Sequence, residues 1–503
     1  MIRGLRSSLI AGLLVASAFL LAGLALDHYL VAQGLRDLQR IDRGESRLSF
    51  DFDQARDLIG GDVNGAQDST WADGIYSATL PSGQANVRLN LRGLALNAGR
   101  YTQFHARVRS STAARLHLIF DQPGRLDQLT ATLDLAPGWN SLKLSLDQLD
   151  FRPHAGGAPQ PWGGSSGLVG EFRLYFSGPA GLQIALDQVL FRRPGHSGEP
   201  AGIQWLGTAD AAARLRSDAP VSGQGRPVIG VLLDLVSTRP EQNLALRDQL
   251  RQIDAETLFW PAWRGRPEAP PESRLPPLGW SPGWGLVLAY TLLALWWRWR
   301  RQASVRAPAL IDLIIGLTPI LALNLGLGLG EEAPPDSRAW LTAALLFQLS
   351  GLHLRGSSFL GARAAWKAAI PMLLFAAATL LLVAALTAHW QKPGLQRIVG
   401  YLPFVLLQQA LLLGFIWPRL VALAPSQAPV VAACLFGLAH APNFSLMCLT
   451  LLGAWWWTRH FRQHHSWLPI LLTHYLLGLL LISCLPPDWL YSAETGLRYF
   501  QVQ

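Results

Sequence analysis

The sequence predicts a multidomain membrane protein. An N-terminal signal-anchor helix comes first, then an exported all-β sandwich of jelly-roll type with a small α/β annex, then a C-terminal polytopic α-helical bundle of about eight spans. Half of the 503 residues are hydrophobic and only 15% are charged, whereas soluble domains carry about 25%. Period-two alternation dominates the first half of the chain, and long apolar runs dominate the second. The net charge of +9 lies beside these runs, which indicates membrane topology and no nucleic-acid partner.

Residues 1–26 have the pattern of a signal anchor. Arg3 and Arg6 precede an apolar run over Leu9–Leu26, which at about 18 residues is just long enough to span a bilayer. A cleavable signal peptide is the alternative, because small residues occur within Leu21–Ala25. The run is long for a signal peptide, so the sequence favours an uncleaved anchor. In both cases the arginines stay in the cytoplasm and the following region is exported.

Residues 27–195 are predicted to form the exported sandwich. Short segments of alternating apolar and polar residues are separated by breaks such as Pro137-Gly138 and Gly178-Pro179. About eight strands at this spacing are typical of a sandwich. The predicted strands are Arg47–Phe52, Asn86–Arg92, Thr102–Arg109, Arg115–Phe120, Gln128–Asp134, Ser141–Leu146, Glu171–Phe176 and Gln183–Phe191.

Two runs of this region, GWNSLKLSLDQL and EFRLYFSGPAGLQIALDQVLF, resemble the last strands of galactose-binding-like, carbohydrate-binding sandwiches. The resemblance implies envelope polysaccharide as a partner. Trp71, Trp162 and Tyr175 are candidates for stacking on a sugar if exposed, and packing in the core or in loops is their commoner role. Nearby acidic residues lack the spacing of a calcium loop and are predicted to be solvated. They are Asp51, Asp53, Asp62 and Asp68.

Residues 196–282 are predicted to form the annex and a Pro-rich linker. RPVIGVLLDLVS predicts a strand, and TRPEQNLALRDQLRQIDAETLFWPAW predicts a helix that begins near Thr238, followed by a second strand. The connector after Arg193 is rich in Gly, Pro and Ser. The stretch Arg266–Pro282 has the composition of a tether to the membrane.

Residues 283–503 are predicted to form a multi-span membrane domain. The basic segments Arg298–Arg306, Arg355–Lys367, Arg419 and Arg459–His465 fall on one side of the arrangement when the N-terminus is cytoplasmic. The sequence therefore predicts a multi-pass protein of the bacterial inner membrane with its N-terminal region in the periplasm. The predicted spans cover about 284–298, 308–329, 339–354, 368–388, 399–417, 427–441, 445–458 and 467–484.

Four polar residues are predicted to lie at membrane depth: His440, His474, Gln408 and Gln409. Such side chains usually face a bundle interior or a wet cavity. Hydrogen bonding between helices is the alternative explanation. We expect the four side chains to converge on one cavity.

The segments LFGLAHAPN and LTLLGAWWWTRHFRQHHSWLPILLTHYLLG resemble the second and third motifs of the CPBP intramembrane proteases. That family includes the type II CAAX prenyl endopeptidases and the bacteriocin self-immunity proteins (the Abi domain). Phe436 and His440 match its Phe-x-x-x-His motif, and His474 matches the first position of His-x-x-x-Asn/Asp. The resemblance covers Pro403–Leu485. It implies an endopeptidase that cleaves a membrane-embedded or membrane-proximal peptide, with the sandwich as recognition domain.

Departures from the family pattern change the expected chemistry. Gln408 and Gln409 stand where the family has a Glu pair, and Gly478 occupies the Asn/Asp position. An amide cannot accept a proton, and general-base catalysis contributes about 10²–10⁴-fold. One implication is a glutamine variant, in which His440 is the base and His474, with the glutamines, completes the catalytic set. The other is a catalytically silent relative that binds a membrane segment or lipid.

Further alternatives concern a metal, a substitute acid and other function classes. If a divalent metal such as zinc is bound, the two motif histidines are its expected ligands, although two imidazoles make a thin site. Glu331 and Glu332 are poor substitutes for the missing acids, because Pro334-Pro335 opposes a helix there. A transporter is disfavoured, since Asp312 is the only acidic residue of the spans. Asp312 is expected to snorkel to the cytoplasmic end of its span, and a buried functional acid is the alternative. An envelope carbohydrate-binding membrane protein is the remaining alternative.

Overall fold

The computed structural model describes residues 2–43, 45–52, 57–59, 63–91, 95–122, 128–154, 156–194, 202–216, 228–235, 238–267, 281–300, 306–328, 334–353, 356–491 and 493–500. The chain forms two compact units. A helical unit comprises Met1–Tyr29, Val236–Ala245 and Pro276–Phe500, and a β-rich unit comprises Leu30–Leu235 and Leu246–Leu275. Helix α1, Ile2–Asp42, occupies the position of the predicted anchor and continues beyond its predicted end.

The β-rich unit contains a sandwich of two antiparallel sheets. Sheet I has the strand order β2-β3-β13-β6-β9 with β1 paired to β13, and sheet II has the order β10-β8-β7-β12-β4. Strands β5 and β11 form a separate pair. The strands are β1 Ser49–Phe50, β2 Gln67–Ala72, β3 Ile75–Leu80, β4 Gln84–Leu89, β5 Leu96–Asn97, β6 Gln103–Ser110, β7 Ala114–Asp121, β8 Gln128–Leu135, β9 Gly138–Ser145, β10 Arg152–Pro153, β11 Leu168–Val169, β12 Glu171–Ser177 and β13 Leu182–Arg192.

The sandwich forms because alternate residues of each strand are apolar and point inward. Phe104 of sheet I and Phe120, Phe172 and Phe176 of sheet II are all completely buried in one core. Burial of each such side chain contributes about 1.5–3 kcal/mol. The predicted β-sandwich is therefore confirmed.

The strands β2 and β3 form a hairpin that was not predicted from the sequence. Its connection is the two-residue loop Asp73–Gly74, and both residues have positive φ angles, 51° and 74°. An Asp-Gly pair between alternating segments is the sequence signal for such a turn. The dipeptide therefore carried the information needed to find this hairpin.

The structure shows where two of the three candidate aromatic residues lie. Trp162 is only 5% exposed, and its indole N–H donates to the backbone carbonyl of Tyr101 at 3.0 Å, so it packs in the core, which was the commoner of its two expected roles, and does not stack on a sugar. Trp71 is half-buried and packs against the ring of Tyr76. Of the acidic cluster, Asp51 and Asp68 are exposed, whereas Asp53 and Asp62 lie outside the described residues.

The annex is built around a three-stranded parallel sheet of order β14-β15-β16. The predicted strand, helix and second strand are found as β15, α3 and β16. Strand β14 and helix α2 were not predicted, because their segment follows a connector rich in Gly, Pro and Ser. The elements are β14 Ile203–Gly207, α2 Thr208–Arg216, β15 Val228–Leu233, α3 Pro240–Ile253 and β16 Leu258–Pro261.

The helical unit has helices at the positions of the predicted spans. A π-helical segment, Ala410–Ile416, joins α8 to α9. Among the residues that the structure describes, four helices are long and apolar enough to cross a membrane, over Val15–Asp42, Pro308–Leu325, Arg363–Thr387 and Leu395–Leu423. The count of about eight spans stays a prediction. The helices are α4 Gly283–Arg300, α5 Arg306–Leu325, α6 Pro335–Leu349, α7 Arg363–Thr387, α8 Leu395–Gln409, α9 Trp417–Leu423, α10 Ala428–Leu438, α11 Phe444–His464, α12 Leu468–Cys484 and α13 Pro487–Leu490.

The structure contradicts two predictions for charged residues of the helical unit, because Asp312 and Arg419 form a buried ion pair. Arg419 is 3% exposed and Asp312 is fully buried, so neither contributes to a cytoplasmic surface or snorkels. The Arg419 guanidinium donates to the Asp312 carboxylate at 2.8 Å and to the carbonyls of Phe415 and Gly351 at 2.7 and 3.1 Å. The indole N–H of Trp297 donates to the second carboxylate oxygen at 2.9 Å. The pair joins α5 to α9.

Candidate functional site

The helical unit contains a polar centre that joins α8 to α12. The side-chain amide of Gln409, the last residue of α8, lies 2.8 Å from Nδ1 of His474. Gln409 is fully buried and His474 is 6% exposed. The amide oxygen of Gln409 has no hydrogen-bond partner within the described residues. This hydrogen bond therefore leaves one acceptor of the amide open to a further donor.

His440 and His474 both lie near one aromatic ring, that of Phe436. The Nδ1–H of His440 donates to the carbonyl of Phe436 at 2.7 Å, so Nε2 of the neutral imidazole carries a lone pair. The ring of Phe436 lies 4.9 Å from the ring of His440 and 6.2 Å from that of His474. The rings of His440 and His474 thus both lie beside Phe436, and Gln409 joins them through its hydrogen bond to His474. Gln408 is half-buried and makes no hydrogen bond within the described residues.

Aromatic side chains fix the orientation of His474. Its ring stacks on Trp457 at 4.2 Å, and the Trp457 indole N–H donates to the hydroxyl of Thr473 at 3.2 Å. The polar centre thus has aromatic walls. The π-helical segment begins directly after Gln409, and such segments are frequent at functional sites.

Tyr401 belongs to this centre and was not predicted. A side-chain carbon at Gly478 would overlap the phenol of Tyr401, and the Tyr401 ring lies 6.3 Å from that of His474. The phenol therefore fills the space that a side chain at position 478 would need. Gly478 was the available signal, because a glycine in a helix interior allows close approach of a neighbouring side chain.

The turn between His440 and α11 is held by two caps. Asn443 accepts a hydrogen bond from the backbone N–H of Leu446 at 3.0 Å. The buried carboxylate of Glu241 accepts from the N–H of Ser445 at 3.1 Å and from the hydroxyl of Tyr499 at 3.2 Å. A carboxylate at a helix N-terminus is stabilising, so Glu241 has a structural role. The acids considered from the sequence, Glu331 and Glu332, lie outside the described residues.

The donor set of the polar centre does not fit a zinc ion. Zinc sites use at least three protein ligands, which are Cys, His, Asp or Glu. The centre supplies two imidazoles, and Nδ1 of His440 is bound to a carbonyl. Within the ranges described above, no group of three or more His, Cys, Asp or Glu side chains is placed to hold a metal ion. His440 and His474 alone are a poor metal site.

A second candidate site lies on the outer face of sheet II, defined here by the outward residues of β4, β12, β7 and β8. Strand register aligns Asn86, Tyr175, His117 and Thr132 in one row across four strands. The two imidazole nitrogens of His117 lie 2.9 Å from the Thr132 hydroxyl and 3.0 Å from that of Ser177. Burial and the nearby Arg115 lower the pKa of His117, so the ring is neutral at neutral pH.

Two arginines and two carboxylates beside this row are joined to one another by hydrogen bonds. The carboxylate of Glu171 accepts two hydrogen bonds from Arg88, at 2.6 and 3.1 Å, and one from Arg173 at 2.8 Å. Arg173 also donates to Asp121 at 2.6 Å. Burial alone would raise the pKa of Glu171, but its hydrogen bonds to both arginines outweigh burial and lower the pKa. The arginines are thus balanced by carboxylates, so the face is polar without a large excess of charge.

Tyr175 is the aromatic residue of this face. It is half-buried, and its ring lies 5.6 Å from that of His117. A tyrosine supplies an apolar ring face and a polar hydroxyl with little rotamer freedom to lose. The sequence identified Tyr175, but not its cross-strand neighbours.

Comparisons with known proteins find similarity only among solved structures. No protein-family model, that of the CPBP proteases included, matches the chain, and no curated protein matches it. A family 6 carbohydrate-binding module from Clostridium stercorarium in complex with cellobiose is 15% identical, with 28% of this chain and 91% of that chain covered and a TM-score of 0.18. A family 11 module from Clostridium thermocellum in complex with a β-1,3-1,4-mixed-linked tetrasaccharide is 10% identical, with 26% and 87% covered and a TM-score of 0.20.

A third structure, that of PfGH50B, is 9% identical and has a TM-score of 0.22. The similarity covers 27% of this chain and 23% of that one. At these identities the ligand of the sandwich has to be inferred from its own residues.

Proposed function

We propose that the chain is a membrane protein whose exported sandwich binds carbohydrate of the cell envelope on the outer face of sheet II. The observation that carries the proposal is the row formed by Asn86, Tyr175 and His117 on three neighbouring strands. Tyr175 would stack on the apolar face of a sugar ring, and the flanking amide and the charged network would bind its hydroxyl groups.

Binding of the full chain in detergent to an array of neutral and acidic polysaccharides tests this function. Tyr175→Ala is expected to abolish binding to the preferred glycan, while Tyr175→Phe, which keeps the ring, retains most of it. Gln183→Ala, an exposed position of sheet I, is the matched control. A Tyr175→Ala variant that binds as well as the control would exclude sheet II as the site.

The proposed setting is the bacterial inner membrane, with multiple spans and the sandwich in the periplasm. The four apolar helices of the described residues support a membrane protein, and the basic residues in the last turns of α4 and α11 support this orientation. Alkaline phosphatase fused after Arg193 is expected to be active, because the enzyme folds in the periplasm, and a fusion after Arg300 is expected to be inactive. Activity of the second fusion alone would invert the topology.

A second candidate function is favoured by the hydrogen bond between Gln409 and His474. We propose that the polar centre binds a membrane-embedded peptide segment, with Nε2 of His440 and the open amide oxygen of Gln409 as acceptors. Hydrolysis of that peptide, with His440 as general base, is the active form of this proposal, and silent binding is the inactive form. Zinc is not assigned a role, because the donor set does not fit it.

Cleavage of co-expressed membrane peptides distinguishes the two forms. An active enzyme is expected to lose cleavage in His440→Ala and to keep it in His460→Gln, a buried histidine whose ring packs on Trp456 instead of Phe436. Peptide that stays intact but is crosslinked by wild type and not by His440→Ala indicates the silent form. Equal crosslinking by both proteins contradicts the proposed site.

A further inference from the structure

The outer face of sheet I carries a row of basic side chains that the proposed function does not use. On β6 the outward residues follow every second position, and His105 and Arg109 lie opposite Lys143 and Trp139 of β9. Arg192 of β13 lies beside the start of the same row, opposite Gln103. From Gln103 to Arg109 the row extends about 20 Å, at about 3.4 Å per residue. We call Arg107, Arg109, Lys143 and Arg192 the basic track.

The charges of the basic track are mostly unbalanced. Arg107 pairs with Asp187, yet its side chain is still 55% exposed. Arg109, Lys143 and Arg192 are exposed, and none of the three pairs with a carboxylate within the ranges that the structure describes. On sheet II, by contrast, Glu171 and Asp121 balance the arginines. The two faces of the sandwich therefore differ in charge.

Two further features mark this face as a binding surface. Trp139 is 40% exposed at one end of the row, and the guanidinium of Arg107 lies 4.6 Å from the centre of its ring. Burial, together with the positive charges of Arg192 and Lys143, lowers the pKa of His105. The face thus combines a positive potential with one flat aromatic surface.

We infer that the basic track binds a linear acidic polysaccharide extended along β6 and β9. The charges lie in line on a flat sheet face, which matches a polymer with repeating carboxylates. A bilayer is a poorer match, because stable membrane binding needs several inserted apolar side chains or a lipid anchor beside the charges, and Trp139 is the large exposed apolar residue of this row. The basic track lies on sheet I and Tyr175 lies on sheet II. A negative result for either binding surface therefore leaves the other proposal unaffected.

Binding of full-length protein in detergent to sodium polygalacturonate, a linear polyuronate, tests the inference. Wild type is expected to bind it, to bind highly methyl-esterified polygalacturonate much less, and to lose affinity steeply as salt rises. The double variant Arg109→Gln/Lys143→Gln is expected to bind about tenfold more weakly. Both side chains are exposed, so the sandwich should keep its fold, which thermolysin resistance checks.

A matched control assigns the site. Gln183→Ala, which alters an exposed neutral residue of the same sheet, is expected to leave polyuronate binding unchanged. Absence of binding by wild type, or equal binding by the double variant, overturns the inference. So does a double variant that loses binding to vesicles of anionic phospholipid but not to polyuronate, since the track would then serve the membrane surface.

Discussion

Removal of Arg419 should destabilise the helical unit strongly. Arg419→Met leaves the buried carboxylate of Asp312 without the guanidinium that contacts it at 2.8 Å. It also takes a donor from the carbonyls of Phe415 and Gly351. Loss of one partner of a buried ion pair costs about 3–5 kcal/mol. For a unit of this size each kcal/mol shifts the melting temperature by about 2–4 °C, so we expect a decrease of about 6–20 °C.

The cysteines of the chain provide the assay. Cys434 and Cys484 are buried in the helical unit, whereas Cys448 is exposed. In a Cys448→Ser background, a thiol-reactive dye therefore reports unfolding of this unit in detergent without interference from the sandwich. The double variant Asp312→Leu/Arg419→Met should regain much of the lost stability, because apolar groups often replace a buried pair at little cost. A shift below about 2 °C in the single variant, or no recovery in the double variant, refutes the argument.

Three other perturbations are predicted. Trp162→Ala should lower the free energy of unfolding of the sandwich by about 3–5 kcal/mol, since it leaves a cavity in the core. Thermolysin resistance measures this loss of stability, and a loss no larger than that caused by Trp71→Ala contradicts the prediction. Gly478→Ala should lower the melting temperature of the helical unit by overlap with Tyr401, at a cost of about 1–3 kcal/mol, and a Tyr401→Ala background should relieve the cost. Because the pKa of His117 is lowered in the folded sandwich, the unfolded chain takes up the proton first, so stability should fall as pH drops below about 6.5. His117→Gln should flatten that pH dependence, and an unchanged slope of thermolysin resistance against pH would count against it.

Most strands of the sandwich could be predicted from local sequence patterns. Inward and outward residues alternate within each strand, so β6, β7 and β12 could be found without any tertiary information. The partners of Trp162 could not, because its contacts with Phe120 and Phe151 depend on distant segments meeting in one core. The missed strand β14 is short and follows a segment with the composition of a connector.

Part of the polar centre of the helical unit could also be predicted from local sequence. Histidine and glutamine stand out in apolar spans, so His440, His474 and Gln409 could be selected from the sequence. Tyr401 could not, because its place beside His474 exists only where α8 meets the bare backbone of Gly478. Arg419 was misplaced because a charge pattern does not distinguish a cytoplasmic arginine from one paired with a buried aspartate.

On the sandwich, only the aromatic member of the candidate site could be identified from the sequence. Tyr175 was named from its residue type, but its neighbours Asn86 and His117 come from strands distant in sequence. Only the cross-strand register brings the three side chains into one row. A binding face on a sheet is therefore harder to predict from one sequence than a motif within one helix.

Calorimetric titration of full-length protein with the preferred glycan from the array tests the central claim most directly. Wild type and Tyr175→Phe are expected to bind, and Tyr175→Ala is expected to show no heat of binding while its sandwich resists thermolysin as wild type does. Equal affinity of folded Tyr175→Ala and wild type for that glycan would contradict the assignment of sheet II as the carbohydrate-binding face.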